Sequence, residues 1–267
     1  MKMRTLLALV RFLRAQESTD APDDSMETPV GRLIFDRHRK LGNFDSDQVE
    51  IDVSIRKEAQ ARRILFDPQT PSGLFFEIGG GDGELSYLLG IVENFQIDEA
   101  ERQKNRRLFD EKFEYRGNDL ASNTDKRIFG GDICSPTFLA DAGCSADSAA
   151  VVYSNNVFEH LKRPWIAAEN AYRILKPGGV CITVVPFAQR YHNSPGDYFR
   201  YTHTGIASLF ESAGPIEILS SGYDLTGRRN NWQGGGRAQD IVPVDAFGAW
   251  RETWYTFFAF RKPVVGV

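Results

Sequence analysis

The sequence predicts an α/β fold: a mostly parallel sheet of seven strands with helices on both faces, an antiparallel last strand and a helical extension at the N-terminus. Three observations predict it. From Gly73 onward, short apolar runs alternate with helix-like stretches, the rhythm of strand–helix–strand units that pack helices on both sides of a parallel sheet. The first apolar run enters a glycine cluster at residues 79–83, where a strand-to-helix turn belongs. The run Lys176-Pro177-Gly178-Gly179 then punctuates the chain just before another apolar segment.

Taken in order, Met1 to Arg14 carries Leu6, Leu9, Val10 and Leu13 at helical spacing and reads as an amphipathic helix. Arg11 and Arg14 interrupt the apolar run, no small-residue cleavage site follows, and the segment is too short to span a bilayer. Stable membrane insertion is therefore not expected. Residues 16–28 are polar and acidic, so residues 1–28 read as a helix plus a flexible linker. Residues 29–70 form a cap region with a helical stretch from Val53 to Phe66, and residues 71–267 form the main domain. Within that domain the strands are read at Leu74–Ile78, Phe95–Ile97, Lys126–Phe129, Ala149–Tyr153, Val180–Val185, Ile216–Leu219 and Thr253–Phe260. Helices are read from Glu84 to Leu89, Glu99 to Lys112, Pro164 to Leu175 and Thr204 to Ala213.

Composition narrows the function classes. Of 267 residues, 42% are apolar and 25% charged, enough to bury a core and stay soluble. The 32 basic and 36 acidic residues give a net charge of −4, which argues against gripping a phosphate backbone and so against a nucleic-acid partner. Cys134, Cys144 and Cys181 have no metal-ligand spacing and read as the reduced thiols of a cytoplasmic protein. His38, His160, His192 and His203 lie far apart without an H-E-x-x-H pattern, so no metal site is expected. The amphipathic N-terminus leaves a partner or homo-oligomer role open.

Glu77-Ile78-Gly79-Gly80-Gly81-Asp82-Gly83 is the first segment that carries chemistry. Glycines at a strand-to-helix turn admit a ligand where a Cβ would clash, and the following helix start offers unpaired N–H groups. A dinucleotide site would place its third glycine at position 84, but Glu84 stands there, and a carboxylate would repel a pyrophosphate. The spacing is instead E-x-G-x-G-x-G, with Glu77, Gly79, Gly81 and Gly83 in the pattern.

This segment resembles the class I S-adenosylmethionine-dependent methyltransferase family, and the likeness extends along the chain. It implies a Rossmann-like domain that binds S-adenosyl-L-methionine and releases S-adenosyl-L-homocysteine. Asp98, fifteen residues after Gly83, stands where the family places an acid on the two ribose hydroxyls, with Glu99 the alternative in register. Gly130-Gly131-Asp132-Ile133 resembles the family's loop after the third strand, where an acid meets the adenine amino group. The longest match is Val151 to Gly179. Within it, Ser154-Asn155-Asn156-Val157-Phe158-Glu159-His160-Leu161 follows the fourth strand, and Arg173-Ile174-Leu175-Lys176-Pro177-Gly178-Gly179 resembles the L-K-P-G-G turn. By that resemblance Asn155 and Asn156 contact the methionine part of the cofactor.

Pro186 to His203 follows the fifth strand and is rich in His, Tyr, Asp and Arg, as befits a loop that lines a site. Its Asp197-Tyr198-Phe199-Arg200-Tyr201-Thr202 resembles a D-Y-x-R-Y/F-T segment of bacterial methyltransferases, which implies substrate-binding roles for Asp197, Tyr198, Arg200 and Tyr201. The competing reading packs the aromatics on the sheet and pairs Arg200 with Asp197. Methyl transfer needs positioning and, for a hydroxyl acceptor, proton removal; His192 and His160 are the candidate bases. No N-P-P-Y-type motif follows the fourth strand, and no Asp/Asp/Asn set is visible for a metal-dependent catechol-type mechanism. The expected function is methylation of a small molecule, foremost a hydroxyl of a sugar or secondary metabolite. A non-catalytic methyltransferase-like module and a nicotinamide-dependent oxidoreductase are the rivals.

Overall fold

The computed structural model describes residues 51–81, 85, 88, 99–189, 191–192, 195–224 and 254–264. The amphipathic helix, the acidic linker, the helix at Glu84–Leu89 apart from its Leu85 and Leu88, the strand at 95–97, Gly83 and Asp98 lie outside the described residues. Those that are described run as α1 (Lys57–Leu65), β1 (Gly73–Ile78), α2 (Glu99–Lys112), β2 (Phe113–Asp119), β3 (Ile128–Gly130), α3 (Phe138–Asp141), β4 (Ala149–Asn155), α4 (Pro164–Ile174), β5 (Leu175–Ala188), α5 (His203–Glu211), β6 (Glu217–Asp224) and β7 (Trp254–Arg261). Single 3-10 turns stand at Thr124–Lys126 and Phe158–His160.

The seven strands form one sheet in the order β3-β2-β1-β4-β5-β7-β6. All pairings from β3 to β5 are parallel, whereas β7 runs antiparallel between β5 and β6. The chain reverses direction in strand order at β1 and β4, so their carboxyl ends flank the crevice where such sheets bind ligands.

Side-chain alternation builds two cores. Phe76, Val152, Cys181, Phe258 and Phe260 point to one face, where α3, α4 and α5 cover them with Phe138, Ala167, Ala168, Ala171, Ile206 and Phe210. Their neighbours Phe75, Val151, Ile182, Phe257 and Ala259 point to the other, under Ala61, Ile64 and Leu65 of α1 and Phe109 of α2. Each fully buried phenylalanine contributes about 1.5–3 kcal/mol relative to exposure. Local signals set the helix starts. Pro164 opens α4, where a missing N–H costs nothing, and Thr202 caps α5 by accepting a hydrogen bond from Gly205 N at 2.9 Å. The helix foreseen near 53–66 is α1, and Ile55 and α1 pack directly into the core of the sheet.

Two elements differ from expectation. The strand beside β1 is Phe113–Asp119, a segment with no apolar run: Glu114, Arg116 and Asn118 alternate with Tyr115 and Gly117. It follows α2 with no intervening turn. The turn Lys176–Gly179 lies inside a longer β5, bulged out where the partner of Ala149 is Leu175 and that of Val151 is Val180. Lys262 fastens this bulge, its Nζ donating to Tyr172 O (3.0 Å) and Leu175 O (2.8 Å) at the carboxyl end of α4 and to the Asp147 carboxylate (2.7 Å).

Candidate active site

At the carboxyl end of β1 the chain turns through Gly79, Gly80 and Gly81. Gly79 has φ +71°, and a Cβ there would sit 2.4 Å from Val157 Cγ2. Gly81 has φ +54°, and among the described residues nothing lies within 4 Å of the place a Cβ would take. Its N–H donates to Asp119 Oδ2 at 2.9 Å, and Gly80 N–H donates to Asn118 O at 2.9 Å. The glycine turn is thus tied to the end of β2. Glu77, nearly buried, accepts the Tyr115 hydroxyl at 2.6 Å.

The acid that closes the strand next to β1 is Asp119. Asp98, expected in that place, lies outside the described residues, and the strand position itself belongs to Phe113–Asp119. Phe113–Asp119 lacks the apolar run that marks the other strands, which is why sequence pattern alone does not point to Asp119. Buried Asn118 braces the next loop, its Nδ2 donating to Gly131 O at 2.9 Å. Asp132 follows β3, and its Oδ1 accepts Cys134 N at 2.8 Å. Buried Ile133 offers its carbonyl to Asn170 Nδ2 at 2.8 Å.

β4 ends at Asn155, and Asn156 turns the chain away in the left-handed region with φ 55°. That conformation, tolerated by asparagine, brings Val157 against Gly79. The side-chain oxygens of Asn155 and Asn156 are buried, and neither has a hydrogen-bond partner among the described residues. Buried amide oxygens left unpaired cost about 1–3 kcal/mol each unless a ligand or water serves them. The set Gly79–Gly81, Asp119, Asp132, Asn155 and Asn156 therefore presents acceptors, a bare loop and unserved amides around one crevice. An adenosyl amino acid, with ribose hydroxyls and an ammonium to donate, fits such a set.

Comparison with known proteins decides the family. The model of a family described as a methyltransferase domain matches residues 55–214. The chain belongs to the methyltransferase-domain family, of the class I S-adenosylmethionine-dependent type. No curated protein sequence matches it. A solved structure assigned as a sarcosine dimethylglycine methyltransferase of Galdieria sulphuraria shares the fold at 14% identity and TM-score 0.50, covering 79% of this chain and 86% of its own. The 1,6-didemethyltoxoflavin-N1-methyltransferase of Burkholderia thailandensis is 13% identical, TM-score 0.47, over 92% of this chain and 94% of that one. Among the described residues of this methyltransferase no helix is long and apolar enough to cross a membrane.

A second cluster lies beyond β4 and β5. Glu159 O accepts from Tyr198 N at 2.8 Å and from Phe199 N at 3.3 Å, which pins the loop after β5 onto the 3-10 turn Phe158–His160. The docking brings His192 edge-on to His160, with 4.9 Å between ring centroids. His160 Nδ1 contacts Gly196 O, and its Nε2 lies 3.7 Å from Glu159 Oε1. His192 Nδ1 is 3.4 Å from Asp197 Oδ2, and its backbone N–H donates to the same oxygen at 2.8 Å. Glu159 is fully buried, and desolvation pushes its carboxyl up to about 7. The sequence singled out the two histidines of this cluster and missed the glutamate, although it stands beside His160.

The remaining residues of the loop do more bracing than reaching. Arg200 forks the buried Asp197 carboxylate through Nη1 and Nη2, and these hydrogen bonds hold the acid down at about 2. Tyr201, expected at the substrate, is instead buried in the core of the sheet's α4 face, its hydroxyl donating to Phe158 O at 3.0 Å. Its role is to clamp the loop, because a phenol so enclosed has its one donor already used. Tyr198 remains half exposed, with the Lys162 ammonium 5.8 Å from its ring centroid. Phe187 stacks on Trp254 at 5.7 Å and adds an aromatic wall at the end of β5.

Proposed function

We propose that this methyltransferase moves the methyl group of S-adenosyl-L-methionine to a hydroxyl of a small molecule, foremost a sugar or secondary metabolite. The observation that carries the cofactor half is the pair of buried, unserved amide oxygens on Asn155 and Asn156 beside the glycine turn. When bound, the cofactor supplies a methyl group on a positively charged sulfur.

The chain's own residues do the rest. Asp119 accepts the two ribose hydroxyls in the place foreseen for Asp98, while its hydrogen bond to Gly81 N fixes the loop. Asp132 would receive the adenine amino group, and the apolar Ile133 beside it would line the adenine site. Asn155 and Asn156 would take the ammonium, with Glu77 and Gly79 shaping the floor of the site; Gly83, in the same glycine motif, lies outside the described residues. The acceptor lies toward the aromatic and polar mouth made by Phe187, Tyr198, His160 and His192. There its hydroxyl proton is drawn off by the Glu159–His160–His192 cluster, which positions the oxygen for in-line attack. Asp197 and Arg200 act as positioning residues, since the carboxylate orients His192 and the guanidinium holds the carboxylate.

The test is calorimetric titration of the purified chain with S-adenosylmethionine, S-adenosylhomocysteine and NAD, repeated with Gly81→Arg. Saturable binding of the two adenosyl ligands, lost in the variant and absent for NAD, is the expected result. Binding of NAD alone would overturn the reading in favour of an oxidoreductase, and cofactor binding without turnover of any hydroxylated acceptor would favour a non-catalytic module.

A further inference from the structure

Glu159, His160 and His192 stand thirty-odd residues apart in sequence at their extremes, yet each offers a ligand atom within 4.8 Å of the other two. We propose that these three side chains form a binding site for a divalent first-row transition-metal cation. The inference rests on the methyltransferase reading only for the cation's use, not for its presence.

Three observations support it. Glu159 has no exposed surface, and neither of its carboxylate oxygens has a hydrogen-bond partner among the described residues. Burying a carboxylate that no side chain hydrogen-bonds, with only His160 Nε2 at 3.7 Å, is costly, and a cation bound by both oxygens or by one offsets that cost. Both imidazoles are already oriented as metal-bound imidazoles are. His160 Nδ1 faces the Gly196 carbonyl and His192 Nδ1 faces Asp197, itself anchored by Arg200, so a backbone acceptor and a carboxylate set the ring directions. Finally, two imidazoles and one carboxylate match the donor preference of Zn²⁺, Fe²⁺ or Co²⁺ and leave coordination positions open. Bonds of about 2.0–2.2 Å to each donor require ligand atoms roughly 3–3.5 Å apart, so the three side chains close by about an ångström around the ion.

When the cation is bound, the two histidines serve as its ligands, and the proton-accepting role proposed for their cluster above passes to water. The open positions take oxygen donors of the acceptor, which points to substrates with a hydroxyl beside a second oxygen, such as a vicinal diol or an α-hydroxy carbonyl. Coordination lowers the pKa of the hydroxyl. Its proton passes to water, the oxygen lone pair forms the new bond to the methyl carbon, and the sulfur keeps the electrons of the bond that breaks. Sequence spacing alone predicted no metal site, because the ligands come from two different loops that only the docking of Tyr198 and Phe199 on Glu159 brings together.

The experiment is titration of the chelator-treated full-length chain with Co²⁺, followed by calorimetry and by visible absorption, in wild type, Glu159→Gln and His192→Ala. S-adenosylhomocysteine binding and near-ultraviolet circular dichroism are measured on the same samples. The expected result is saturation at one Co²⁺ per chain with new visible bands, displaced by Zn²⁺ and weakened tenfold or more in each variant while the dichroism is unchanged. Absence of saturable Co²⁺ binding, or equal affinity in both variants, overturns the proposal. Should Glu159→Gln fail to fold, His192→Ala decides alone. Co²⁺ saturation without S-adenosylhomocysteine binding would sustain the metal site and remove the methyltransferase reading, and the reverse pattern would do the opposite.

Discussion

Asp197 shows how much a single side chain carries. It is buried, forked by Arg200, and reaches back to the His192 amide. Hydrogen bonds to the charged form lower its pKa to about 2, from an ordinary value near 4. A depressed carboxylate pKa adds stability above the unfolded value, and that contribution is lost as pH falls through the folded one. Asp197→Asn should therefore cost on the order of 2 kcal/mol at neutral pH, with the gap to wild type closing between about pH 4 and pH 2. Chemical denaturation at several pH values checks this; a gap that persists below pH 2 would show that the cost is not the ion pair. The same residue was legible in the sequence as part of the D-Y-x-R pattern, and the pairing with Arg200 was one of its two readings. What the sequence left open was which partner wins, because that depends on the distance set by the loop's folding onto Glu159. Tyr201 went the other way: an aromatic beside functional residues looks the same in sequence whether it faces a ligand or the core.

At the scale of elements, the strands with apolar runs were readable and the one without was not. The central residues of β1, β4, β5 and β7 are buried on both faces, so Phe75–Phe76, Ala149–Tyr153, Val180–Val185 and Phe257–Phe260 read as largely apolar stretches. β2 sits one strand from the edge, and its middle is Tyr115-Arg116-Gly117-Asn118, in which buried Asn118 serves carbonyls rather than packing. No pattern of apolar residues marks such a strand. Its identification follows from the Asp119 carboxylate on Gly81 N, a contact across thirty-eight residues of sequence. The burial of β5 makes its own prediction. Cys181 lies in its centre, and desolvation pushes the thiol up to about 12; Cys134, below α4, is pushed up to about 11 by burial with Asp132 adding to it. Since the thiolate is the reacting form, both should resist a disulfide reagent near pH 8 until the sheet opens, while half-buried Cys144 reacts first. Rates that follow the denaturant dependence of global unfolding are the expected result, and rapid native-state labelling of Cys181 would contradict the burial of β5.

For the whole molecule, the strand order gathers two residue clusters at the carboxyl ends of the parallel strands. β1, β2 and β4 bring the glycine turn, Asp119 and the paired asparagines to the crevice, and the loops after β4 and β5 bring the glutamate and two histidines beside it. The family and the cofactor class were legible because the glycine turn and the L-K-P-G-G turn are local in sequence. The Glu159–His160–His192 cluster was not, because its residues meet only through long-range docking. The cofactor crevice is the claim on which everything else depends. S-adenosylhomocysteine should be titrated by calorimetry into wild type, Asp119→Ala and Asp98→Ala. Loss of a charged hydrogen-bond acceptor is worth about 1.5–3 kcal/mol, so saturable binding to wild type should weaken tenfold to about a hundredfold in Asp119→Ala and little in Asp98→Ala. No saturable binding to wild type, or full affinity in Asp119→Ala, would contradict the assignment of this crevice.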